Sequence, residues 1–257
     1  MKKKVQHLNL GKGQLRNSKI ALLPGDPFRV SKIAEKVRKQ FGGDIEELAW
    51  NREFKTILCN TSIKPVLVTS TGIGGPSTSI VIEELAMLGI KTFIRVGTTG
   101  AIQKMIKPGD VIITTGSVRL DGASTHYAPI EFPAVADYKV VDILVKAAEK
   151  SRVRYHVGIT ASSDTFYPGQ ERYGSFTGYV IRRFQGSMRE WQRLNVLNYE
   201  MELSTLLTLC SAMGLGGGCI CGVIVNRTVG ENIKEKSVKI GEDNAIKVAV
   251  GSLEYLF

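Results

Sequence analysis

Residues 64–100, which decide the fold, read KPVLVTSTGIGGPSTSIVIEELAMLGIKTFIRVGTTG. Both ends of this segment are runs rich in Val and Ile that stop at Gly, Ser or Thr, as buried strands do. Between the runs, Ile80, Val81, Leu85 and Leu88 recur at helical spacing after a Gly-Gly-Pro break that suits the first turn of a helix. The segment therefore predicts a strand, a helix and a second strand, the repeating unit of an α/β sheet.

The same alternation continues along the rest of the chain. Predicted strands cover residues 19–25, 64–71, 91–97, 109–118, 153–162, 196–201 and 217–226. Predicted helices cover residues 28–39, 77–88, 137–150, 188–194, 202–213 and 243–256. No internal repeat, low-complexity tract or Pro-rich linker interrupts them, so we expect one α/β domain over residues 1–257.

The composition is that of a globular protein. With 257 residues, 43% of them hydrophobic, the chain can bury a large core. A formal charge of +10 fits a nucleic-acid surface, a small anionic substrate or a well-solvated surface. Nucleic-acid binding is the weakest of these interpretations, because the basic residues are dispersed, with small clusters only at Lys2 to Lys4 and at Arg182-Arg183.

Cysteine usage and the N-terminal sequence indicate the compartment. The cysteines lie in or beside apolar runs and their only close pair has C-x-C spacing, which favours reduced buried thiols over a disulfide or metal site. The basic start is not followed by an apolar stretch. We therefore expect a cytoplasmic protein with no membrane insertion.

Three predicted strands end in glycine-rich loops. These loops are Pro24 to Arg29, Thr71 to Ser77 and Arg95 to Gly100. In open α/β sheets ligands bind at the carboxyl ends of strands, where glycines let backbone amides approach an anion. A glycine at a strand end is more often only a turn residue, so each loop by itself is a weak indication.

Three arginines near these loops strengthen the prediction of an anion-binding site. Arg29 follows the first loop, Arg95 lies inside the apolar strand TFIRVG, and Arg52 lies in the stretch NREF. A buried guanidinium needs an anionic partner, and a phosphate suits its planar fork. From the residues alone, a bound phosphate and an Arg–Glu ion pair are about equally favoured.

Several other chemistries lack their sequence motifs. No loop matches the G-x-G-x-x-G dinucleotide fingerprint or the G-x-x-x-x-G-K-[ST] phosphate loop, and no G-x-S-x-G elbow is present. His7, His126 and His156 do not have metal-ligand spacing. NAD binding, NTP hydrolysis, metal-dependent hydrolysis and serine acyl transfer are therefore disfavoured.

Eight stretches, in order along the chain, resemble the nucleoside phosphorylase superfamily and, within it, the bacterial uridine phosphorylase family. They read LPGDPFRV, NREF, STGIGGPSTSIVIEELAMLG, RVGTTGAI, VRLDGAS, SSDTFYPGQERY, NYEME and GVIVNRT, and the likeness runs from about His7 to Thr228. The resemblance implies a single α/β domain with a mixed, partly barrel-like central sheet flanked by helices. It also implies a homo-oligomer, a hexamer formed as a trimer of dimers with sites shared across the dimer interface.

Matching motifs then imply a role for individual residues. Phosphate, as co-substrate, would be held by Gly25, Arg29, Arg95, Thr98 and, from the neighbouring subunit, Arg52. Gln170 and Arg172 would read the uracil edge, since an amide and a guanidinium suit a base with two carbonyl groups. The catalytic set would be Arg95, Gln170, Arg172 and Glu202.

The remaining nucleoside contacts follow from the same resemblance. Phe166 would pack on the base, and Glu200, Met201 and Glu202 would hold the ribose. His7 would reach the 5′-hydroxyl in a neighbouring subunit; the alternative is a surface histidine. The other predicted nucleoside-binding residues are Thr98, Ile224, Val225 and Arg227. No cofactor is implied beyond a monovalent cation such as K⁺, for which the resemblance offers Glu53, Ile73 and Ser77; Glu53 could instead pair with an arginine.

The implied reaction is reversible phosphorolysis of uridine to uracil and α-ribose 1-phosphate. Purine enzymes of the superfamily carry a Ser-Asp pair after the late strand, where this chain has Val225 to Thr228, and hydrolases lack the full set of arginines. The alternatives are a purine or broader nucleoside phosphorylase, a catalytically silent nucleoside-binding protein, and a basic nucleic-acid-binding protein.

Two segments depart from the family pattern. Residues 38–47 suggest a loop of altered length, and residues 229–242 suggest part of a flap over the base pocket, which leaves the choice among uridine, deoxyuridine and thymidine open. We expect residues 174–186 to form a solvated hairpin without a catalytic role.

Overall fold

A computed structural model describes residues 4–257, so Lys2 and Lys3 of the N-terminal basic cluster lie outside it. Its strands are β1 (Ile20–Leu23), β2 (Asp44–Asn51), β3 (Phe54–Asn60), β4 (Val66–Thr69), β5 (Thr92–Ala101), β6 (Val111–Leu120), β7 (Ala134–Val135), β8 (Tyr155–Ser163), β9 (Asn198–Glu200) and β10 (Gly216–Asn226). Its α-helices are α1 (Pro27–Phe41), α2 (Gly75–Leu88), α3 (Tyr138–Lys150), α4 (Ser187–Arg193), α5 (Leu203–Ala212) and α6 (Glu235–Ser252). Short 3-10 turns lie at Lys12–Leu15, Ala123–His126, Pro168–Gln170, Arg182–Phe184 and Leu253–Tyr255.

All of these strands belong to one ten-stranded sheet. Strands β5, β10, β6, β8 and β9 pair in succession, and β9 pairs again with β5, so these five close into a barrel. From β5 the sheet continues through β1, β4, β3 and β2. The pairings are both parallel and antiparallel, which confirms the predicted α/β fold with a mixed, partly barrel-like sheet. The extent of the domain, 1–257, stays a prediction.

Helices cover both faces of the sheet. Helices α1, α3 and α6 bury one apolar cluster that includes Val30, Leu144 and Val248. Helices α2 and α5 bury a second cluster that includes Leu85 and Leu206. Because both faces are covered, the central strands are continuous apolar runs, the pattern from which they were predicted.

Every predicted strand and helix is present, but the structure adds the hairpin of β2 and β3 and the short strand β7, none of which was predicted. Residues 38–47 are the last turn of α1, a Gly-Gly turn and the beginning of β2, so the predicted loop is wrong. Strand β2 pairs antiparallel with β3 at the edge of the sheet. Its sequence, DIEELAWN, is polar because one side of this edge strand faces solvent, and it therefore lacks the apolar run that marks the other strands.

Two more predictions need correction. Helix α6 begins at Glu235, eight residues before the predicted start at residue 243. The prediction missed its first two turns because they carry few apolar residues. Residues 174–186 form no strand pair and contain the 3-10 turn Arg182–Phe184, so they are not a hairpin.

The cysteine prediction is confirmed, since Cys59, Cys210, Cys219 and Cys221 are all free and buried. Burial raises the pKa of the Cys59 thiol to about 12, which keeps it protonated. Among the helices of residues 4–257, none combines the length and the apolar character that crossing a membrane requires.

Candidate active site

One cavity of about 660 Å³ opens where the carboxyl ends of β1, β5, β9 and β10 meet. It brings together most of the predicted site residues, which come from distant parts of the sequence. Those in its lining are Gly25, Arg29, Glu53, Ile73, Arg95, Thr98, Phe166, Gln170, Arg172, Glu200, Met201, Glu202, Ile224 and Val225. The site residues fall into two groups by their contacts: a strand-end group (Gly25, Arg29, Arg95, Thr98), and a loop group (Phe166, Gln170 and Arg172, with Arg227 behind the lining).

The loop after β1 places the strand-end group. Asp26 caps α1 by accepting a hydrogen bond from the Phe28 amide at 2.9 Å, and Pro27 occupies the first helical turn. The Gly72 amide donates to the Gly25 carbonyl at 3.0 Å, which joins the first two glycine loops. A side chain at Gly25 would come within 3.2 Å of the Gly72 carbonyl, so this approach requires glycine or a shift of the loop.

Arg29 is the third residue of α1 and is buried. Its Nη1 donates to the Val96 carbonyl at 3.3 Å, and its Nε lies 3.2 Å from Oε2 of Glu242 on α6. One guanidinium nitrogen is therefore hydrogen-bonded, and the Nε edge is ion-paired without a hydrogen bond. Because Arg29 also lines the cavity, it contributes positive charge there.

Arg95, in β5, is paired with carboxylates. Its Nε donates to Glu200 Oε2 at 2.9 Å and its Nη2 contacts Glu202. Burial lowers the pKa of the guanidinium, but the two carboxylates outweigh burial and hold that pKa above its ordinary value. The structure therefore contains the Arg–Glu pair that the sequence left open. The pair leaves one guanidinium nitrogen available, since Nη1 is buried and has no hydrogen-bond partner within residues 4–257.

Glu200 and Glu202 immediately precede α5. Glu200 accepts hydrogen bonds from the backbone amides of Glu202 and Leu203, so it caps this helix while it holds Arg95. Glu202 accepts from the Gly74 amide at 2.6 Å. Burial raises the pKa of the Glu202 carboxyl, against the attraction of Arg95. The two carboxylates thereby fix Arg95, the glycine loop before α2 and α5 relative to one another.

The loop group depends on a tight turn after β8. The Gly169 amide donates to Thr165 Oγ1 at 2.8 Å, and a side chain at Gly169 would lie 2.2 Å from Ser163 Oγ, so glycine is required. The turn leaves Gln170 buried in the cavity wall. Arg172 stacks over the Phe166 ring, with its guanidinium carbon 4.2 Å from the ring centre.

Arg227, directly after β10, joins this loop to the segment that follows. Its Nη2 donates to the Gln170 carbonyl at 2.9 Å and its Nε donates to Glu231 at 2.6 Å. Glu231 also contacts Arg172, so one carboxylate bridges two guanidinium groups. Burial, and then the charge of Arg227, lower the pKa of Arg172 to about 10.

Four contributors were missed by sequence reasoning. Tyr199 and Ile233 line the cavity, Glu231 bridges the two arginines, and Glu242 faces Arg29. Three of them fall in residues 229–242, where the family pattern weakens. Only the predicted flap over the base pocket pointed to this segment, and no local pattern marked the individual residues.

Four predicted site residues lie outside the lining of the cavity. His7 faces Glu84, with Nδ1 2.8 Å from Oε1, and Arg52 is exposed in the tight turn between β2 and β3. Both were predicted to act on a neighbouring subunit's site. Ser77 donates to Glu53 Oε1 at 3.2 Å beside the cavity, and Arg227 lies behind Gln170. Glu53 is thus partnered by a serine rather than an arginine.

Comparison with known proteins identifies the family. The family model described as "Phosphorylase superfamily" matches residues 19–254. The chain belongs to this superfamily. The predicted superfamily membership is therefore confirmed.

Individual relatives cover nearly all of the chain. It is 55% identical to the uridine phosphorylase of Escherichia coli (strain K12) over 249 residues, 97% of this chain and 96% of that protein. It is 46% identical to the uridine phosphorylase of Thermococcus kodakarensis, over 90% of this chain and 82% of that protein. It is also 34% identical to the guanosine phosphorylase of Halorubrum lacusprofundi, over 98% of this chain and 99% of that protein.

Proposed function

We propose that the chain is a uridine phosphorylase, which converts uridine and inorganic phosphate reversibly to uracil and α-ribose 1-phosphate. The observation that carries this proposal is the cavity itself, which holds two buried arginines together with an amide and a third arginine on a loop. The uridine phosphorylases among the relatives, which align over nearly the whole chain, support the same assignment.

The strand-end group suits phosphate. Arg29 and Arg95 supply positive charge, Arg95 keeps a buried Nη1 without a partner, and the Gly25 loop lets the backbone come close to an anion. A phosphate here would give Arg95 a third anionic contact besides Glu200 and Glu202. Thr98, on the same strand as Arg95, would add a hydroxyl donor.

The loop group suits uracil. The side-chain amide of Gln170 has no hydrogen-bond partner among residues 4–257, and it can donate to and accept from the O2/N3 edge of the base. Arg172 would face O4, and Phe166 would cover the base. Ile224 and Val225, at the end of β10, provide apolar contacts, while Arg227 holds the loop through the Gln170 carbonyl.

These positions fit a dissociative displacement. Breaking the N-glycosidic bond leaves negative charge on the base and oxocarbenium character at C1′. Donors from Gln170 and Arg172 stabilise the departing uracil anion, while phosphate stabilises the cationic sugar and attacks it with inversion. Glu202 accepts from a ribose hydroxyl, and Met201 covers the ring. Orientation of both substrates in one cavity contributes several kcal/mol of the roughly 7–11 kcal/mol attainable in well-aligned systems.

We further propose a cytoplasmic homohexamer, a trimer of dimers. Arg52 would complete the phosphate site and His7 the 5′-hydroxyl contact of a neighbouring subunit, since both lie outside the lining of their own chain's cavity. Ile73, which lines the cavity and is 76% exposed, and Phe28, which is 69% exposed and follows the lining residue Pro27, provide apolar surface for such a contact. Sedimentation velocity together with mixing of Arg52→Met and Arg29→Met subunits tests this arrangement, because recovery of activity requires shared sites.

A monovalent cation fits beside this interface. Glu53 and Ser77 bring a carboxylate and a hydroxyl oxygen within 3.2 Å of each other, and hard cations prefer oxygen ligands. With Ile73, they would hold K⁺, which would bridge charges between subunits and take no chemical part. Replacing K⁺ by a bulky organic cation should then lower oligomer stability.

The decisive test follows the ultraviolet change of uridine with and without phosphate, with inosine as a second substrate. Uracil release only with phosphate supports the proposal, whereas release without phosphate indicates a hydrolase, inosine cleavage a purine enzyme, and no cleavage a binding protein. Deoxyuridine and thymidine assays settle the sugar and base preference. Arg29→Met should abolish turnover, while Arg38→Met, on the exposed face of the same helix, should not.

A further inference from the structure

Glu242 faces Arg29 from behind the cavity. It lies on α6, far from Arg29 in sequence, and both residues are largely buried. Its Oε2 lies 3.2 Å from Arg29 Nε, while its Oε1 lies 2.7 Å from Nζ of Lys32. A buried carboxylate of this kind requires a role that offsets its desolvation, and it does not line the cavity.

The contacts of Arg29 define its orientation. The Val96 carbonyl accepts a hydrogen bond from Nη1, and the Glu242 carboxylate forms an ion pair with the Nε edge of the guanidinium, although Nε itself has no hydrogen-bond partner among the described residues. Nη2 has no hydrogen-bond partner among the described residues, and Arg29 lines the cavity. A guanidinium that is already oriented, with Nη2 available, can bind an anion without first losing side-chain freedom.

Lys32 prevents Glu242 from neutralising Arg29. One carboxylate between two cations leaves a net positive charge on the trio, and Lys32 takes up the oxygen that does not face Arg29. Lys32 is 62% exposed, so it compensates charge from the solvent side. The arrangement orients the arginine while it preserves its attraction for an anion.

A backbone contact between α6 and β10 fixes the position of Glu242. Helix α6 crosses β10 at Gly241, where a side chain on Gly222 would lie only 1.9 Å from the Gly241 carbonyl. Gly222 is the partner of Thr98 in the register of β10 with β5. The close glycine contact therefore places Glu242 directly behind the strand-end group.

We propose that Glu242 is a positioning residue that orients Arg29 for phosphate and so sets the affinity for phosphate. This inference rests on the proposed phosphorolysis. It differs from a role in general stability, because it predicts a change confined to one substrate.

The test compares Glu242→Gln with Glu235→Gln, the same substitution at an exposed position of α6. Loss of a charge-assisted contact to Arg29 should raise the KM for phosphate about tenfold. The KM for uridine should stay close to wild type, and Glu235→Gln should change neither KM. The Tm of Glu242→Gln should fall, because Arg29 then stays buried without its carboxylate partner. An unchanged or lowered KM for phosphate, or an equal rise in both KM values, would overturn the proposal.

A second variant separates orientation from other effects. In an Arg29→Lys background, which keeps a cation but not the planar fork, Glu242→Gln should add less than twofold. A full tenfold effect in that background would show that Glu242 does not act through Arg29.

Direct binding separates this inference from the proposed function. Calorimetric titration with inorganic phosphate, without nucleoside, should show the same tenfold weakening in Glu242→Gln. If wild type fails to cleave uridine but binds phosphate in a Glu242-dependent way, the proposed function fails and the positioning role stands. If wild type cleaves uridine and phosphate binding is insensitive to Glu242, the positioning role fails alone.

Discussion

The strand-end group and the loop group are built in different ways. Arg29 and Arg95 are buried, and each is held by carboxylates from distant segments and anchored on regular elements next to the barrel. Arg172 and Gln170 lie on a short turn, and the carboxylate that bridges Arg172 and Arg227 is 48% exposed. One end of the cavity is therefore preorganised, whereas the other can adjust.

This difference matches the ligands proposed for the two ends. Phosphate is small and symmetric, and its transition-state role is electrostatic, which favours fixed charges in a dry site. A base must enter, be recognised and leave, which favours a loop with fewer anchors. Variants at the phosphate end should therefore damage both fold and catalysis, and variants at the base end should change catalysis alone.

The largest effect is expected for Arg95→Met. The substitution leaves Glu200 and Glu202 buried without their cation, which typically destabilises a protein by about 3–5 kcal/mol. It also removes a donor to phosphate, so kcat/KM should fall about a thousandfold. Thermal unfolding and steady-state assays measure the two losses, and Arg38→Met serves as the control. A variant with wild-type Tm would contradict the preorganised phosphate end.

Gln170→Leu should cost about a hundredfold in kcat/KM for uridine, because the base loses paired hydrogen bonds in a buried site. Its Tm and its KM for phosphate should remain close to wild type, since the backbone carbonyl that accepts from Arg227 is retained. Comparing the two KM values separates the ends of the cavity. An equal rise in both would mean that the loop group and the strand-end group are not independent.

Glu231→Gln should have a smaller effect, about fivefold in KM for uridine. Glu231 holds the segment containing Ile233 against Arg172 and Arg227, but exposed ion pairs contribute little. The effect should shrink further at high salt. Tighter uridine binding in the variant would instead identify Glu231 as a competitor for Arg172.

The smallest effect near neutral pH concerns Glu202. Because burial raises the pKa of this carboxyl above its ordinary 4.5, it should gain a proton before exposed carboxylates do. The proton weakens the pairing with Arg95, so kcat/KM should fall by about tenfold per pH unit on the acid side. A raised pKa in the fold means that this titration favours the folded state as the pH falls, so the activity should decline before unfolding.

Glu202→Gln provides the control for that profile. The variant should be less active than wild type at neutral pH, and its acid limb should be absent. A wild-type acid limb retained in Glu202→Gln would assign the titration to another group.

The sequence predicted the parts of this molecule that depend on local pattern. Apolar runs marked the central strands, and the Gly-Gly-Pro break marked the start of α2, because these signals arise within a few residues. It did not predict the hairpin of β2 and β3, whose strands pair with each other at the edge of the sheet, or the first turns of α6, whose contacts are with β10 and α1.

For the site, the sequence by itself determined which chemistry was available. Motifs placed arginines, glycines and an amide at strand ends, and one apolar strand contained Arg95, which required an anion without naming it. Only the tertiary structure decided the partners: Glu200 and Glu202 for Arg95, Glu242 for Arg29, and Glu231 for Arg172 and Arg227. The physical reason is that a charge can be recognised as buried from its neighbours in sequence, whereas the group that compensates it is selected by packing across the fold.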